Sequence, residues 1–67
     1  MIPIRVNGRD VEVATGTTLA ILLSSLGLAR EGVAVAVDRQ VIPRLEHDRH
    51  ALVAHSEVEV IRAVGGG

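Results

Sequence analysis

Hydrophobic and polar residues alternate in two short segments at the start of the chain. Residues 2–6 and 11–13 each place aliphatic side chains on one side and polar or proline residues on the other. Alternation with a period of two predicts β-strands that have one buried face. Asn7-Gly8 lies between the two segments and is a strong hairpin signal, because both residues tolerate positive φ. The pattern therefore predicts an N-terminal β-hairpin.

The pattern then changes to helical spacing. Thr17 or Thr18 can act as the N-cap of a helix, and Gly27 can end it in the left-handed conformation with Leu28 folding back onto the last turn. Four leucines fall at positions i, i+3, i+4 and i+7 and form one apolar stripe: Leu19, Leu22, Leu23 and Leu26. We predict an amphipathic helix whose stripe packs against the core.

The second half of the chain returns to strand patterns. Residues 33–37 are an unbroken run of valine and alanine, which favours a strand covered by the helix. Asp38-Arg39 predicts a tight turn into a short strand at residues 40–42, which Pro43 stops. Residues 44–56 are polar and irregular, with one helical turn expected near residues 45–49.

The last predicted strand covers residues 57–63. Its valines, Val58 and Val60, alternate with Glu57 and Glu59, so the two pairs face opposite sides of the sheet. Ile61 then falls on the glutamate side, where it and Ala63 would be exposed next to the C-terminus.

The resulting order is β-β-α-β-β-β. It predicts an α+β fold in which a mixed sheet of four to five strands has one main helix packed across one face, with the first and last strands side by side at its centre. The length of 67 residues predicts a single domain, residues 1–67, with a flexible C-terminal tail at residues 64–67.

Composition narrows the chemistry that side chains can carry. The chain has no cysteine, lysine, phenylalanine, tyrosine or tryptophan. Disulfides, side-chain persulfides and lysine imines are thus excluded, and the core must be aliphatic. The net charge of −1 and the scattered arginines provide no basic surface for nucleic acid. No apolar run approaches the ~20 residues of a membrane span and no signal peptide is apparent, so we expect a cytoplasmic protein.

Three histidines raise the question of a metal site. His47 and His50 would share one face of a helical turn, but a closed zinc site needs two further ligands at compatible positions. We interpret these histidines as solvated loop residues, expect no bound metal, and assign no role to His55.

The final residues, Val64-Gly65-Gly66-Gly67, offer a different kind of chemistry. Glycines have no Cβ, so this segment can pass through a channel too narrow for other residues. The α-carboxylate of Gly67 becomes an electrophile once an enzyme converts it to an acyl-adenylate. A glycine-rich end can also be idle, and the tail alone leaves both interpretations open.

Taken together, the chain resembles the ThiS family of sulfur carriers of thiamine biosynthesis, which have the ubiquitin-like β-grasp fold. The resemblance depends on the order of several weak motifs along the whole chain: Asn7-Gly8, Gly16-Thr17-Thr18-Leu19, the valine and alanine run at residues 33–37, Val41-Ile42-Pro43-Arg44, and Val58-Glu59-Val60-Ile61 followed by the glycines. Two turns depart from the family pattern. Asp38-Arg39 replaces the more usual Asn-Gly, and His55-Ser56 replaces a Gly-Asp-type turn.

The resemblance implies a carrier and not an enzyme, with no catalytic residue and no bound cofactor. A ThiF/MoeB-like enzyme would use ATP to adenylate the carboxylate of Gly67, a desulfurase system would supply sulfur, and a ThiG-like thiazole synthase would consume the thiocarboxylate. Val64, Gly65 and Gly66 would thread into the partner active sites, while Ile61 and Ala63 would dock.

Other functions stay open on the sequence. A molybdopterin-synthase small subunit, or a carrier of another sulfur pathway, would use the same chemistry at Gly67. The short chain without aromatic residues favours the thiamine assignment over these. A protein of another class, a conjugated ubiquitin-like tag or an interaction module, would instead form isopeptide bonds to lysines of its targets.

Overall fold

The elements of secondary structure follow the order that the hydrophobic pattern predicts. The computed structural model describes residues 1–28 and 32–62, and it places five strands, one α-helix and one 3₁₀ turn in them. Their bounds are β1 Ile2–Val6, β2 Arg9–Val13, α1 Leu19–Ser25, β3 Val33–Val37, β4 Gln40–Val41, the 3₁₀ turn Arg44–Glu46, and β5 Glu57–Arg62. The 3₁₀ turn begins one residue before the predicted helical turn. Strand β4 ends one residue before the prediction.

The strands form one mixed sheet in the order β2-β1-β5-β3-β4. The two hairpins, β1–β2 and β3–β4, are antiparallel, and β5 lies between them, parallel to β1 and antiparallel to β3. The predicted adjacency of the first and last strands is confirmed.

The core lies between the sheet and α1. It contains the aliphatic side chains that alternation and helical spacing point inward: Ile4, Val6, Leu19, Leu22, Leu23, Val35, Val37 and Val58, together with Leu52 from the loop before β5. The prediction that Leu26 belongs to this stripe is wrong, since its side chain is 43% exposed. The helix ends at Ser25 and Leu26 is its C-cap, so Leu28 packs against the core beyond it.

Both ends of α1 have the predicted caps. The Thr18 hydroxyl accepts a hydrogen bond from the Ile21 N–H at 3.3 Å. At the other end Gly27 has a φ of +73°, and the Leu28 N–H donates to the Leu23 carbonyl at 2.8 Å. This is a Schellman motif. Neither α1 nor the 3₁₀ turn, the helical segments of the described residues, is long and apolar enough to cross a membrane.

The loop between β4 and β5 docks onto the start of α1, which the irregular pattern of residues 44–56 did not predict. The Leu19 and Ala20 N–H groups donate to the carbonyls of His50 and His47, each at 3.0 Å, and the Leu52 N–H donates to the Thr17 carbonyl at 2.8 Å. The first N–H groups of a helix lack intrahelical partners, so the loop carbonyls stabilise the start of α1.

Candidate functional site

The candidate site is built on β5, whose end leads to the C-terminal glycines. On one side β5 pairs with β3 at five of its six residues, from Val58 opposite Val37 to Arg62 opposite Val33. On the other side its backbone pairs with β1 only at Arg5–Glu57 and Val6–Val58. The chain therefore approaches its terminus from a central strand that both hairpins hold in place.

The side chains of β5 face the two sides of the sheet as predicted. Val58 is buried and Val60 is half-buried against the core, while Glu57 and Glu59 are exposed on the opposite side. The Ile61 side chain is 56% exposed on this glutamate side. The predicted exposure of Ile61 is confirmed, and its role in docking stays a prediction.

Ile61 belongs to an apolar patch on the face of the sheet opposite α1. Directly paired residues of neighbouring strands share a face, and the register pairs Ala34 with Ile61 and Ala36 with both Glu59 and Val41. We call Ala34, Ala36, Val41 and Ile61 the open-face patch. Ile61 and Val41 stand exposed around the two small alanines.

The same face is acidic beside the patch. Asp10, Glu12, Glu57 and Glu59 all lie on this side of the sheet, as the register with Pro3, Arg5 and Ala36 shows. Arg5 is opposite both Asp10 and Glu57, and its Nε lies 3.4 Å from the Asp10 carboxylate. The pair is exposed and contributes little to stability. The face as a whole keeps an excess of negative charge.

The residues expected to carry the reaction lie outside the described residues. These are Gly67, the threading residues Val64, Gly65 and Gly66, and the docking residue Ala63. Arg62, the last residue of β5, directly precedes them. The structure establishes how the chain is held up to Arg62, and the roles of residues 63–67 remain predictions.

The interpretation of all three histidines as solvated is wrong for His47. Its side chain is only 8% exposed, and its Nε2 lies 2.9 Å from the Ile42 carbonyl. A carbonyl oxygen accepts only, so Nε2 donates the proton. His55 is exposed and His50 half-buried. Residues 1–28 and 32–62 contain no group of three or more His, Cys, Asp or Glu that could hold a metal ion.

No local pattern marks His47 for burial. The histidine lies in a polar stretch, and its position follows from two contacts, one to the residue just after β4 and one to the distant start of α1. Its side chain anchors the loop to Ile42, while its carbonyl accepts from Ala20. The structure thus gives His47 a structural role.

A mixed sheet with one helix across it, and with the last strand between two hairpins, defines a small β-grasp protein. The model of the ThiS family matches residues 4–67, and the chain belongs to that family. The crystal structure of the thiamine biosynthesis protein ThiS from Geobacter metallireducens superposes with a TM-score of 0.84 at 30% sequence identity, covering 98% of this chain and 100% of that one. The predicted family and the predicted β-grasp fold are both confirmed.

Two curated relatives differ greatly in length. The sulfur carrier protein ThiS of Escherichia coli is 27% identical over 61 residues, which are 91% of this chain and 92% of that protein. The thiazole synthase of Magnetococcus marinus is 38% identical over 64 residues. The matched segment covers 96% of this chain and only 20% of that longer protein.

Proposed function

We propose that this protein is a sulfur carrier of thiamine biosynthesis, and that it holds sulfur as a thiocarboxylate on Gly67. The observation that carries the proposal is the match to the ThiS family, which extends from residue 4 through Gly67 and so includes the glycines. The similarity to the Escherichia coli sulfur carrier protein ThiS over nearly the full length of both chains supports it.

The composition supports the terminal carboxylate as the site of sulfur attachment. The chain contains neither cysteine nor lysine, so no side chain can carry a persulfide or an imine. In the proposed reaction the Gly67 carboxylate attacks the α-phosphorus of ATP and pyrophosphate leaves. A sulfide equivalent then attacks the acyl carbon and AMP leaves. The proposal requires Gly67 to be the last residue of the working protein.

The proposed partners are the enzymes that act on this terminus. A ThiF/MoeB-like enzyme binds the ATP and forms the adenylate, a desulfurase system supplies sulfur, and a ThiG-like thiazole synthase receives it. The similarity of this chain to one fifth of the Magnetococcus marinus thiazole synthase supports the last of these partners. The carrier contributes recognition and delivery, while catalysis belongs to the partners.

The open-face patch is the proposed docking surface. Ile61 lies one residue before the end of β5, so a partner that covers the patch is well placed to receive residues 63–67. Exposed apolar residues can mark interaction surfaces. The neighbouring carboxylates favour a partner whose surface combines apolar side chains with arginine or lysine. Ala63, the second predicted docking residue, would continue this surface.

The experiment that tests the proposal is intact-mass analysis after incubation with ATP, the adenylating enzyme and a sulfur source. We expect the mass increase of replacing one oxygen by sulfur, localised to the C-terminal peptide. A protein with one alanine added after Gly67 should not gain this mass, because its terminal carboxylate no longer belongs to a glycine at the correct reach. Gly66→Val should also fail, because a β-branched side chain obstructs threading and restricts the backbone.

The matched control adds one alanine before Met1, at the opposite terminus, and should gain sulfur like the unmodified protein. Thermal unfolding should be nearly unchanged in all three variants, which separates loss of the reaction from loss of the fold. If the protein extended after Gly67 gains sulfur as readily as the original, the Gly67 carboxylate is not the carrier.

The similarity to a thiazole synthase favours the thiamine pathway over the small subunit of molybdopterin synthase. Co-purification with a thiazole synthase, and not with a larger pterin-synthase subunit, is the expected result. Adducts of higher mass, formed on lysines of other proteins in a lysate, would instead favour a conjugation tag.

A further inference from the structure

The turns of the two hairpins hold β5 in the same way. Asn7 and Asp38 are the first left-handed residues of their turns, with φ of +49° and +50°. The Asn7 Oδ1 accepts a hydrogen bond from the Val60 N–H at 2.9 Å, and the Asp38 Oδ1 accepts one from the Glu57 N–H at 3.0 Å. Their own N–H groups donate to the Val58 and Glu57 carbonyls, at 2.9 and 2.8 Å.

The two side chains act at different points along β5. Asp38 binds the first residue of the strand, far from the glycines. Asn7 binds the fourth, beyond the last backbone pair of β1 and β5 at Val6–Val58. The side chain of Asn7 thus provides one more hydrogen bond to β5 at the point where the backbone of β1 enters its turn. Along the described part of the chain, β5 continues past this hydrogen bond to Arg62 paired with β3 alone.

We propose that Asn7 is a positioning residue, which sets the direction in which β5 delivers Gly67 to the adenylating enzyme. This role rests on the proposed function. Beyond Val60 the described part of β5 is held by β3 alone, so the Asn7 hydrogen bond fixes the β1 side of the strand two residues before Arg62, where the described chain ends. Small misplacements of a reacting group can lower the rate of a positioned reaction.

Three variants separate positioning from stability. Asn7→Gly keeps a residue that tolerates positive φ and removes the acceptor, and the backbone freedom that it adds to the unfolded chain is also added by Asp38→Gly. Asn7→Asp keeps both the turn and the acceptor and tests rescue. Asp38→Gly removes the equivalent acceptor from the start of the same strand, so it is the matched control for loss of one turn hydrogen bond.

The first measurement is amide hydrogen exchange by NMR. We expect the Val60 amide to exchange about tenfold faster in Asn7→Gly, as for loss of one hydrogen bond, and close to the unmodified rate in Asn7→Asp. In Asp38→Gly the faster amide should be that of Glu57. An unchanged exchange rate of the Val60 amide in Asn7→Gly would show that the Asn7 side chain does not hold β5, and would overturn the positioning role.

The second measurement is ATP-dependent pyrophosphate release by the adenylating enzyme with each carrier as substrate, at a temperature where all are folded. We expect kcat/KM to fall about three- to tenfold for Asn7→Gly and to stay near that of the unmodified protein for Asn7→Asp and Asp38→Gly.

An equal fall of kcat/KM for Asp38→Gly would indicate a general loss of order in β5 and would overturn the role of Asn7. An unchanged kcat/KM for Asn7→Gly would also overturn it. If the unmodified protein supports no pyrophosphate release, the proposed function fails and the delivery role fails with it. Failure of the proposed function therefore appears in the unmodified protein, whereas failure of the Asn7 proposal alone appears only in the comparison of the variants.

Discussion

At the scale of single residues, the left-handed backbone conformation sets which residues suit the turns. Asn7, Asp38, Arg39 and His55 are the residues other than glycine that have positive φ in the described part of the chain. Asparagine, aspartate and histidine are enriched among the residues other than glycine that adopt this conformation, whereas arginine is strained in it. Of these residues Arg39 is therefore the least suited to its backbone conformation, while Asp38 accepts a hydrogen bond from β5 in the same way as Asn7.

Arg39→Gly should stabilise the protein. Arg39 has a φ of +70° at the second turn position of the β3–β4 hairpin, where glycine is preferred. Relief of the strain exceeds the entropy that glycine adds to the unfolded chain, and we expect a gain of about 0.5–1 kcal/mol in chemical denaturation.

Arg49→Gly is the matched control, because Arg49 is also exposed but does not have positive φ. It should lower the free energy of unfolding. An equal gain in both variants would mean that the effect of Arg39→Gly comes from the lost charge and not from the backbone.

At the scale of elements, α1 depends on its surroundings. It has seven residues and no charged residue in its first or last turn, so it is too short to be stable alone. Burial of three leucines, the Thr18 cap, the loop carbonyls of His47 and His50, and the Schellman motif together stabilise it. The irregular loop is therefore part of what makes this segment helical.

Truncation of a leucine in the helix stripe should lower the free energy of unfolding more where the leucine is buried than where it lies at the end of the stripe. Leu22→Ala and Leu23→Ala should each lower the free energy of unfolding by about 2–5 kcal/mol, because both side chains are buried and their removal leaves a cavity.

Leu26→Ala is the matched control on the same helix. Since Leu26 is partly exposed at the C-cap, its truncation should cost less than about 1 kcal/mol. Urea titrations of the three variants measure these losses. Equal losses at Leu22 and Leu26 would contradict the packing described here.

At the scale of the whole molecule, the sheet has two unlike faces. One is covered by α1 and the loop before β5, and the other carries the open-face patch beside four carboxylates. The central strand β5 contributes to both faces and leads into the glycines. The proposed docking surface and the proposed path to Gly67 therefore meet in one strand.

Ile61→Glu should leave the fold intact and weaken binding to the adenylating enzyme about tenfold, because it places a charge within the proposed apolar contact. Isothermal titration with the enzyme measures the affinity. Val53→Glu makes the same change at another exposed aliphatic residue, 65% exposed in the loop before β5, and should bind normally. An unchanged affinity for Ile61→Glu would rule out the docking assignment.

Local patterns in the sequence were sufficient for most of the fold. Alternation predicts β1, β2 and β5, leucine spacing predicts α1, and Asn7-Gly8 and Gly27 predict the turns where the backbone must be left-handed. These signals succeed because each depends on neighbours within a few residues. The absence of cysteine and lysine likewise limits the side-chain chemistry by composition alone, whatever the fold.

Tertiary structure decided the features that join distant segments. The docking on α1 of the loop that contains His47 and Leu52, and the hydrogen bonds that the Asn7 and Asp38 side chains accept from β5, all pair residues far apart in the chain. The bond between Asn7 and Val60 spans 53 positions. A periodic pattern indicates which face of its own element a residue occupies, but it does not indicate which other element covers that face. The element order predicted the adjacency of β1 and β5, whereas the pairing of β5 with β3 and the register of both pairs are known only from the folded sheet.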